Sequence, residues 1–161
     1  MLKCNTEIMK DLKKINEEKS LLIDKEMDQC IIKYVSEADK IIPEYNYDET
    51  RQKIDALNKR EIYLRGLLLR ANATVIVPEF GMTIGACLIY LAQLEEKARI
   101  LKVLSCKQPK TRTLQFQKQV EYSEAIYDIE KAKKDYDNVK DEIVKLQMAI
   151  DRINLTNLIE V

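Results

Sequence analysis

The sequence contains no histidine and no tryptophan, and it has only three glycines, three prolines and two phenylalanines among 161 residues. Histidine is the usual general base near neutral pH and the commonest metal ligand. Its absence excludes Ser-His-Asp and Cys-His catalytic sites and mixed Cys/His zinc sites within one chain. The glycine-rich phosphate-binding motifs and the nucleophile elbow G-x-S-x-G are also missing. We therefore expect no enzyme activity, no cofactor and no metal.

The chain also has no charge of one sign in excess, because 27 basic residues balance 27 acidic ones. A neutral balance gives no overall field that would attract nucleic acid or an anionic membrane. No apolar run reaches the roughly 18 residues that a membrane span needs, and no segment has the length and pattern of a signal peptide. We expect no membrane association and a cytoplasmic location.

The four cysteines are scattered along the chain and form no C-x-x-C pair; they are Cys4, Cys30, Cys87 and Cys106. An all-cysteine metal site from positions so far apart would be unusual. Thiols that stay unpaired are typical of a reducing compartment. The cysteine pattern therefore predicts four free thiols, most of them buried.

High charge with few helix breakers is typical of long helices, and 34% of the residues are charged while 46% are hydrophobic. Apolar residues at helical spacing predict helices over 3–37, 49–72, 83–104 and 123–154. The third of these is apolar on several sides, so we expect it to be the most buried. We place all 161 residues in a single domain.

The last helix has the most regular pattern in the chain. Its apolar residues alternate steps of three and four, the spacing of a coiled-coil seam. These residues are Ile129, Ala132, Tyr136, Val139, Ile143, Leu146, Ile150 and Ile153. The seam predicts a partner surface, but the sequence leaves open whether that surface belongs to the same chain or to another.

Three short segments have the composition of strands. Residues 74–77 and 156–161 are rich in β-branched or apolar side chains, and residues 114–122 alternate apolar with polar ones. Pro78 and Gly81 predict a turn after the first segment, since proline fixes φ and glycine tolerates positive φ. We expect the three segments to form one small sheet.

Two stretches of the chain repeat each other. Arg70-Ala-Asn-Ala-Thr and Arg152-Ile-Asn-Leu-Thr each end an apolar helical pattern and lead into a strand-like segment. We interpret Asn72, Thr74, Asn154 and Thr156 as helix-exit positions. If the two helices lie side by side, they deliver their strands to one place. The predicted fold is mainly α (α+β), with four helices in long antiparallel coiled-coil-like pairs and a small β-sheet at one end.

The order of these features resembles the small bacterial proteins often labelled septicolysin-like. The resemblance rests on Ala71-Asn-Ala-Thr, the Gly81-Met-Thr turn, a basic loop with proline and arginine, an alternating strand and the closing Ile153-Asn-Leu-Thr. It covers most of residues 50–161. The resemblance implies an intracellular helical protein with a small β element, and it brings no catalytic residues.

One basic segment, residues 107–118, raises an alternative. Lys107, Lys110, Arg112 and Lys118 lie on or beside a predicted loop and provide the charges that grip phosphates. The pattern gives two hypotheses. In the first, the chain is a non-enzymatic, self-associating structural or protein-interaction module. In the second, it is an accessory protein that binds nucleic acid or phosphate through this loop.

Overall fold

The computed structural model describes residues 1–114 and 120–161, and four long helices hold most of them. The helices are α1 (Asn5–Gln29), α2 (Tyr47–Thr74), α3 (Ile84–Ser105) and α4 (Ile129–Thr156). The strands are short: β1 (Leu2–Cys4), β2 (Ile76–Val77), β3 (Met82–Thr83), β4 (Lys110–Leu114), β5 (Val120–Glu124) and β6 (Leu158–Glu160). A 3₁₀ turn spans Glu37–Asp39. The predicted class, mainly α with four helices and minor β structure, is confirmed.

The chain divides into two compact units. Unit 1 contains Met1–Asn72 and Asn154–Val161, and unit 2 contains Ala73–Ile153. The chain therefore passes from one unit to the other at the two Arg-x-Asn-x-Thr stretches that repeat in the sequence. The single domain expected over 1–161 stays a prediction.

In unit 1, α1 and α2 pack as an antiparallel pair. Ile8, Leu12 and Ile15 of α1 are buried with Leu64 of α2, and Ile159 of β6 packs against them. Farther along α1, Lys19 donates to Glu61 of α2 at 2.7 Å. At the N-terminal edge of this unit, β1 pairs antiparallel with β6, so the two chain ends close the unit together.

In unit 2, α3 and α4 form a second antiparallel pair with the larger core. Residues of both helices share one buried cluster: Val77, Ile84, Cys87, Leu94, Ala98, Val139, Ile143, Leu146, Ala149 and Ile150. The hydroxyl of Tyr127, just before α4, donates to the carbonyl of Leu104 near the end of α3 at 2.7 Å. The β2–β3 ladder lies at the other end of the pair, where β3 leads directly into α3.

The predicted seam of α4 faces this core. Six residues of α4 are buried, and five of them, all but Ala149, belong to the predicted seam. Ile129, Tyr136 and Ile153 are half-buried. The partner surface is α3 of the same chain, which settles the question that the sequence left open. The predicted pairing of the second and fourth helices is wrong. Helix α2 packs against α1, and α4 packs against α3.

The first helix is shorter than the predicted span of 3–37. Residues 2–4 form β1, and the helix ends at Gln29. Beyond Leu22 the apolar pattern continues in Met27, Ile31 and Tyr34, but all three are exposed. Apolar spacing stabilises a helix by burying its stripe, and these residues have no buried surface to join.

Two helices begin at other residues than predicted. Helix α2 starts at Tyr47 because Asn46 accepts from the backbone N–H of Glu49 at 3.1 Å. Helix α4 starts at Ile129 rather than at 123, since Asp128 accepts from the N–H of Lys131 at 3.0 Å. Helix α3 starts at Ile84, one residue after the predicted start, and Thr83 Oγ1 accepts from the N–H of Ala86 at 3.2 Å. Short polar side chains fill this role interchangeably, which limits cap prediction.

The single predicted sheet is wrong. Among the described residues the strands form three separate two-stranded antiparallel ladders, β1 with β6, β2 with β3 and β4 with β5. The Pro78–Gly81 turn is confirmed, with Gly81 at φ +63°, and it folds β2 back onto its own neighbour. The first predicted segment pairs with β3 across this turn, and the second lies in the β4–β5 hairpin. The last predicted segment pairs with β1, a strand that the sequence did not predict.

The predicted strand 114–122 also differs. Residues 115–119 lie outside the described part of the chain, and the flanking residues form the hairpin β4–β5. Strand β4 begins at Lys110 because threonines alternate with basic residues and find partners across the hairpin, such as Thr111 opposite Ser123 and Arg112 opposite Tyr122. Cross-strand pairs of this kind stabilise a ladder whose single residues are polar.

The structure extends the sequence repeat to the whole chain. Helices α2 and α4 both have 28 residues, and Tyr47 aligns with Ile129 as Thr74 aligns with Thr156. Helices α1 and α3 also correspond, since each directly follows a strand. Their buried positions align in pairs: Asn5 with Ile84, Ile8 with Cys87, and Ile15 with Leu94. The described part of the chain is a tandem repeat of strand, helix, helix and strand, in which the second repeat carries the hairpin β4–β5 between its two helices.

Candidate functional site

The feature of unit 2 that its own packing does not explain is the outer face of α3, defined as Leu88, Ile89, Ala92, Glu96, Ile100 and Val103. At 100° per residue most of these side chains lie opposite the core face formed by Ile84, Cys87, Leu94 and Ala98, and Leu88 lies at the edge between the two faces. Ile89 is 65% exposed and Val103 is 53% exposed. Helix α3 therefore has two apolar faces, and unit 2 covers one of them.

This arrangement corrects the expectation that α3 would be the most buried helix. Four of its residues are buried, whereas α4 has six. An apolar pattern around a helix predicts burial on all sides only if enough protein surrounds it. In unit 2, α4 supplies one surface to α3, and Leu88, Ile89, Ile100 and Val103 remain exposed.

A charged group interrupts the apolar residues at the middle of the outer face. Arg99 donates two hydrogen bonds to the carboxylate of Glu96, at 2.8 Å from Nε and 2.7 Å from Nη2. These hydrogen bonds lower the pKa of Glu96 and raise that of Arg99. The pair divides the face into an apolar patch before Glu96 and another after it.

The corresponding face of α1 is mostly charged. By the alignment of the two repeats, Lys10 stands where α3 has Ile89, Lys13 where it has Ala92, and Asp24 where it has Val103. Met9, aligned with Leu88, and Leu21, aligned with Ile100, are the apolar side chains at equivalent positions. Since both helices fold on the same plan, the apolar residues on the outer face of α3 are not a requirement of that plan.

The structure separates the basic residues predicted to bind anions. Lys107 lies after α3, beside a small pocket that Thr111 and Glu124 also line. Lys110 and Arg112 lie on β4, two positions apart and so on its other face. Lys110 pairs with Glu124 at 3.4 Å, and its ammonium lies 5.5 Å from the ring centre of Tyr122. Lys118 lies outside the described residues.

Acidic side chains share this hairpin with the basic ones. Glu124 stands opposite Lys110, and Glu121 stands opposite Thr113. Nearby carboxylates reduce the local positive potential that phosphate binding requires. Nucleic-acid or phosphate binding by Lys107, Lys110, Arg112 and Lys118 stays a prediction.

The predicted helix-exit positions lie within the last turns of their helices. Helix α2 ends at Thr74 and α4 at Thr156, two residues beyond Asn72 and Asn154. In unit 1, Asn154 accepts from the side chain of Asn5 at 3.0 Å, and Asn157 donates to Asn5 at 3.3 Å. This amide cluster satisfies the buried Asn5 and fixes the end of α4 to the start of α1. Its role is structural.

A second polar cluster in unit 1 is also structural. The carboxylate of Glu26 is buried and accepts from Tyr45 Oη at 2.8 Å and from Arg51 Nε at 3.0 Å. The cluster fixes the connection between α1 and α2 to both helices. Among the described residues no group of three or more acidic or cysteine side chains is placed to hold a metal ion.

The thiols agree with the sequence in their redox state and differ in their burial. All four cysteines are free; Cys4 and Cys87 are buried, and Cys30 and Cys106 are exposed. Burial raises the pKa of the Cys87 thiol, which makes it a poor nucleophile. In the described part of the chain, no helix is long and apolar enough to cross a membrane.

Comparison with known proteins identifies the fold. No protein-family model and no curated protein matches the sequence. One solved structure is similar, that of a functionally unknown conserved protein from Corynebacterium diphtheriae. It superposes with a TM-score of 0.70 over 99% of this chain and 100% of that one, at 18% sequence identity. This likeness shows a shared fold.

Proposed function

We propose that the protein is a non-enzymatic, cytoplasmic module that acts by protein–protein interaction, first of all by associating with copies of itself. The observation that carries this proposal is the outer face of α3. Four large aliphatic side chains are exposed there on one helix of a folded unit: Leu88, Ile89, Ile100 and Val103. Contiguous exposed apolar side chains are typical of interaction sites in proteins that dissolve in water.

The composition supports the non-enzymatic part of the proposal. A chain without histidine has no side chain whose unperturbed pKa lies near neutrality. Two of its buried polar side chains, Asn5 and Glu26, are satisfied by neighbours within unit 1 and hold the fold together. The resemblance to septicolysin-like proteins remains a proposal of kinship and adds no activity.

Self-association is tested by the mass of the native chain in solution. We expect sedimentation velocity to show a species heavier than the 18.8 kDa chain, with a weight-average mass that rises with concentration across the micromolar range. A monomer at every concentration would contradict the proposal. Raising the salt concentration separates the driving forces, because an apolar interface persists in salt that weakens ionic contacts.

A further inference from the structure

We propose that the outer face of α3 docks onto the same face of a second copy of the chain, with the two helices antiparallel about a two-fold axis that passes beside Glu96. The inference rests on the proposed self-association and assigns it a surface, an orientation and a register. The occupant is a second copy because the face matches itself in spacing and in charge.

The spacing of the face is symmetrical. Its central residues follow one another at steps of three, four, four and three, in the order Ile89, Ala92, Glu96, Ile100, Val103. A two-fold axis at Glu96 places Ile89 of each copy opposite Val103 of the other, and Ala92 opposite Ile100. Each of these layers then pairs two apolar side chains, as in an antiparallel coiled coil, and at the axis Glu96 of one copy faces Glu96 of the other. A shift of one helical turn would place Glu96 against an aliphatic residue.

The charges that flank the face are also self-complementary. Around the axis each copy brings two acidic and two basic side chains: Glu95, Glu96, Lys97 and Arg99. All four are exposed, and their charges cancel. Glu95 and Arg99 lie on the same flank of α3, since they are separated by one helical turn. In the antiparallel arrangement Glu95 of one copy therefore lies beside Arg99 of the other, on both sides of the axis.

A polar residue at the centre fixes the register. Glu96 is already held by two hydrogen bonds from Arg99, so its carboxylate enters the interface with its charge compensated. A single polar residue at an apolar seam selects one alignment at some cost in affinity, because other alignments place it against an aliphatic side chain of the other copy. The paired charges therefore give specificity. Burial of the aliphatic side chains of Ile89, Ala92, Ile100 and Val103 gives affinity.

Comparing α1 with α3 distinguishes residues needed for docking from residues needed for folding. Helix α1 has charged residues where α3 has Ile89, Ala92 and Val103. A like pairing of two α1 helices would place Lys10 opposite Asp24 and Lys13 opposite Leu21, with no apolar layer. The outer face of α1 therefore serves as the matched control for that of α3.

The test is disulfide trapping in a Cys30→Ser/Cys106→Ser background, which removes the two exposed thiols. Ile89→Cys and Val103→Cys are made in separate chains of the full-length protein, mixed and mildly oxidised. We expect a crosslinked dimer from the mixture. Each variant alone should stay uncrosslinked, since antiparallel helices hold two copies of the same position about 21 Å apart along the axis, at 1.5 Å per residue.

The outcomes separate this inference from the proposed function. Crosslinking of Ile89→Cys with itself would show parallel helices and overturn the inference. If the mixture fails to crosslink while sedimentation shows a dimer, self-association stands and another surface carries it. If the native chain is a monomer, both proposals fail. Lys10→Cys mixed with Asp24→Cys should give no dimer, and circular dichroism shows whether each variant keeps its helices.

Discussion

Two leucines at equivalent positions of the repeat are fully enclosed by their units. Leu64 of α2 and Leu146 of α4 each have 0% exposure. Leu64 packs among Ile8, Leu12 and Ile15, and Leu146 lies in the larger cluster of unit 2. The apolar spacing of both helices singles out these positions, so their burial could be read from the sequence. At the residue scale, equivalent positions of the two repeats are therefore buried alike.

Shortening either leucine should therefore weaken its own unit. We expect Leu64→Ala and Leu146→Ala each to lower the free energy of unfolding by about 3–5 kcal/mol, since each leaves a cavity in a closed core. Ile62 and Val144 are the matched controls, because they are also equivalent but are 72% and 50% exposed. Their alanine variants should change stability by about 0.5 kcal/mol or less. Urea denaturation measures all four, and equal losses at buried and exposed positions would refute the packing described.

Glu61 links stability to pH in unit 1. It accepts from Lys19 at 2.7 Å and from Arg65 at 2.8 Å, and these hydrogen bonds lower its pKa. A carboxylate whose pKa is lowered by folding stabilises the native state above its unfolded pKa, and that contribution is lost as the pH falls through its folded pKa. We expect the Glu61→Gln variant to be less stable than the native chain at neutral pH.

The difference between the two proteins should shrink as the pH drops below the usual range for glutamate. Thermal unfolding of both proteins across an acid series measures it, and taking the difference removes the effect of the other carboxylates. A difference that stays constant down to the most acidic pH would contradict the assigned contacts.

At the scale of elements, the sequence predicted the features that depend on interactions between residues close together in the chain. The α4 seam and the start of α3 could be predicted because apolar spacing and helix initiation depend on residues a few positions apart. Strand β1 was missed because three residues give no period, and its partner β6 lies at the other end of the chain. The end of α1 was missed because its later apolar residues, such as Met27, are exposed.

Two glycines should respond to alanine with opposite signs. Gly81 has φ +63° in the β2–β3 turn, whereas Gly66 lies inside α2, and an added Cβ meets no atom within 4 Å at either site. Gly81→Ala should destabilise by about 1–2 kcal/mol, because an L-residue is strained at positive φ. Gly66→Ala should stabilise by about 0.5–1 kcal/mol through helix propensity. Urea midpoints decide the signs; stabilisation by Gly81→Ala would contradict the turn.

The hairpin β4–β5 decides the alternative function. We expect the chain to show no salt-sensitive retention on heparin, since Glu121 and Glu124 accompany its basic residues and the chain has no net charge. Retention that Lys110→Ala with Arg112→Ala abolishes would instead establish anion binding by this hairpin. Lys13→Ala with Lys14→Ala on α1 controls for the loss of two positive charges elsewhere.

At the scale of the whole chain, the repeat explains the organisation. The sequence shows the similarity between α2 and α4. It does not show the correspondence between α1 and α3, because the outer faces of these two helices differ in chemistry. The chain crosses between units at Asn72–Ala73 and again at Ile153–Asn154, which lie in the two repeated Arg-x-Asn-x-Thr stretches. Strand β2, after α2, pairs in unit 2, and strand β6, after α4, pairs in unit 1. Each repeat thus contributes a strand to the unit of the other.

The outer faces of α1 and α3 differ, and we propose that the chain dimerises through α3. The sequence of one chain shows that α3 is apolar on several sides, but only its partners determine which face the chain itself buries. The core face packs against α4. We propose that a second copy covers the other face, with Glu96 at its centre.

The most direct test is the molar mass of three proteins by light scattering at one high concentration: the native chain, Ile100→Glu and Leu21→Glu. The two substitutions occupy equivalent positions of α3 and α1, at side chains 47% and 70% exposed, and neither should disturb a core. The account predicts a dimer for the native chain and for Leu21→Glu, and a monomer for Ile100→Glu. A dimer that survives Ile100→Glu, or a native monomer, would contradict it.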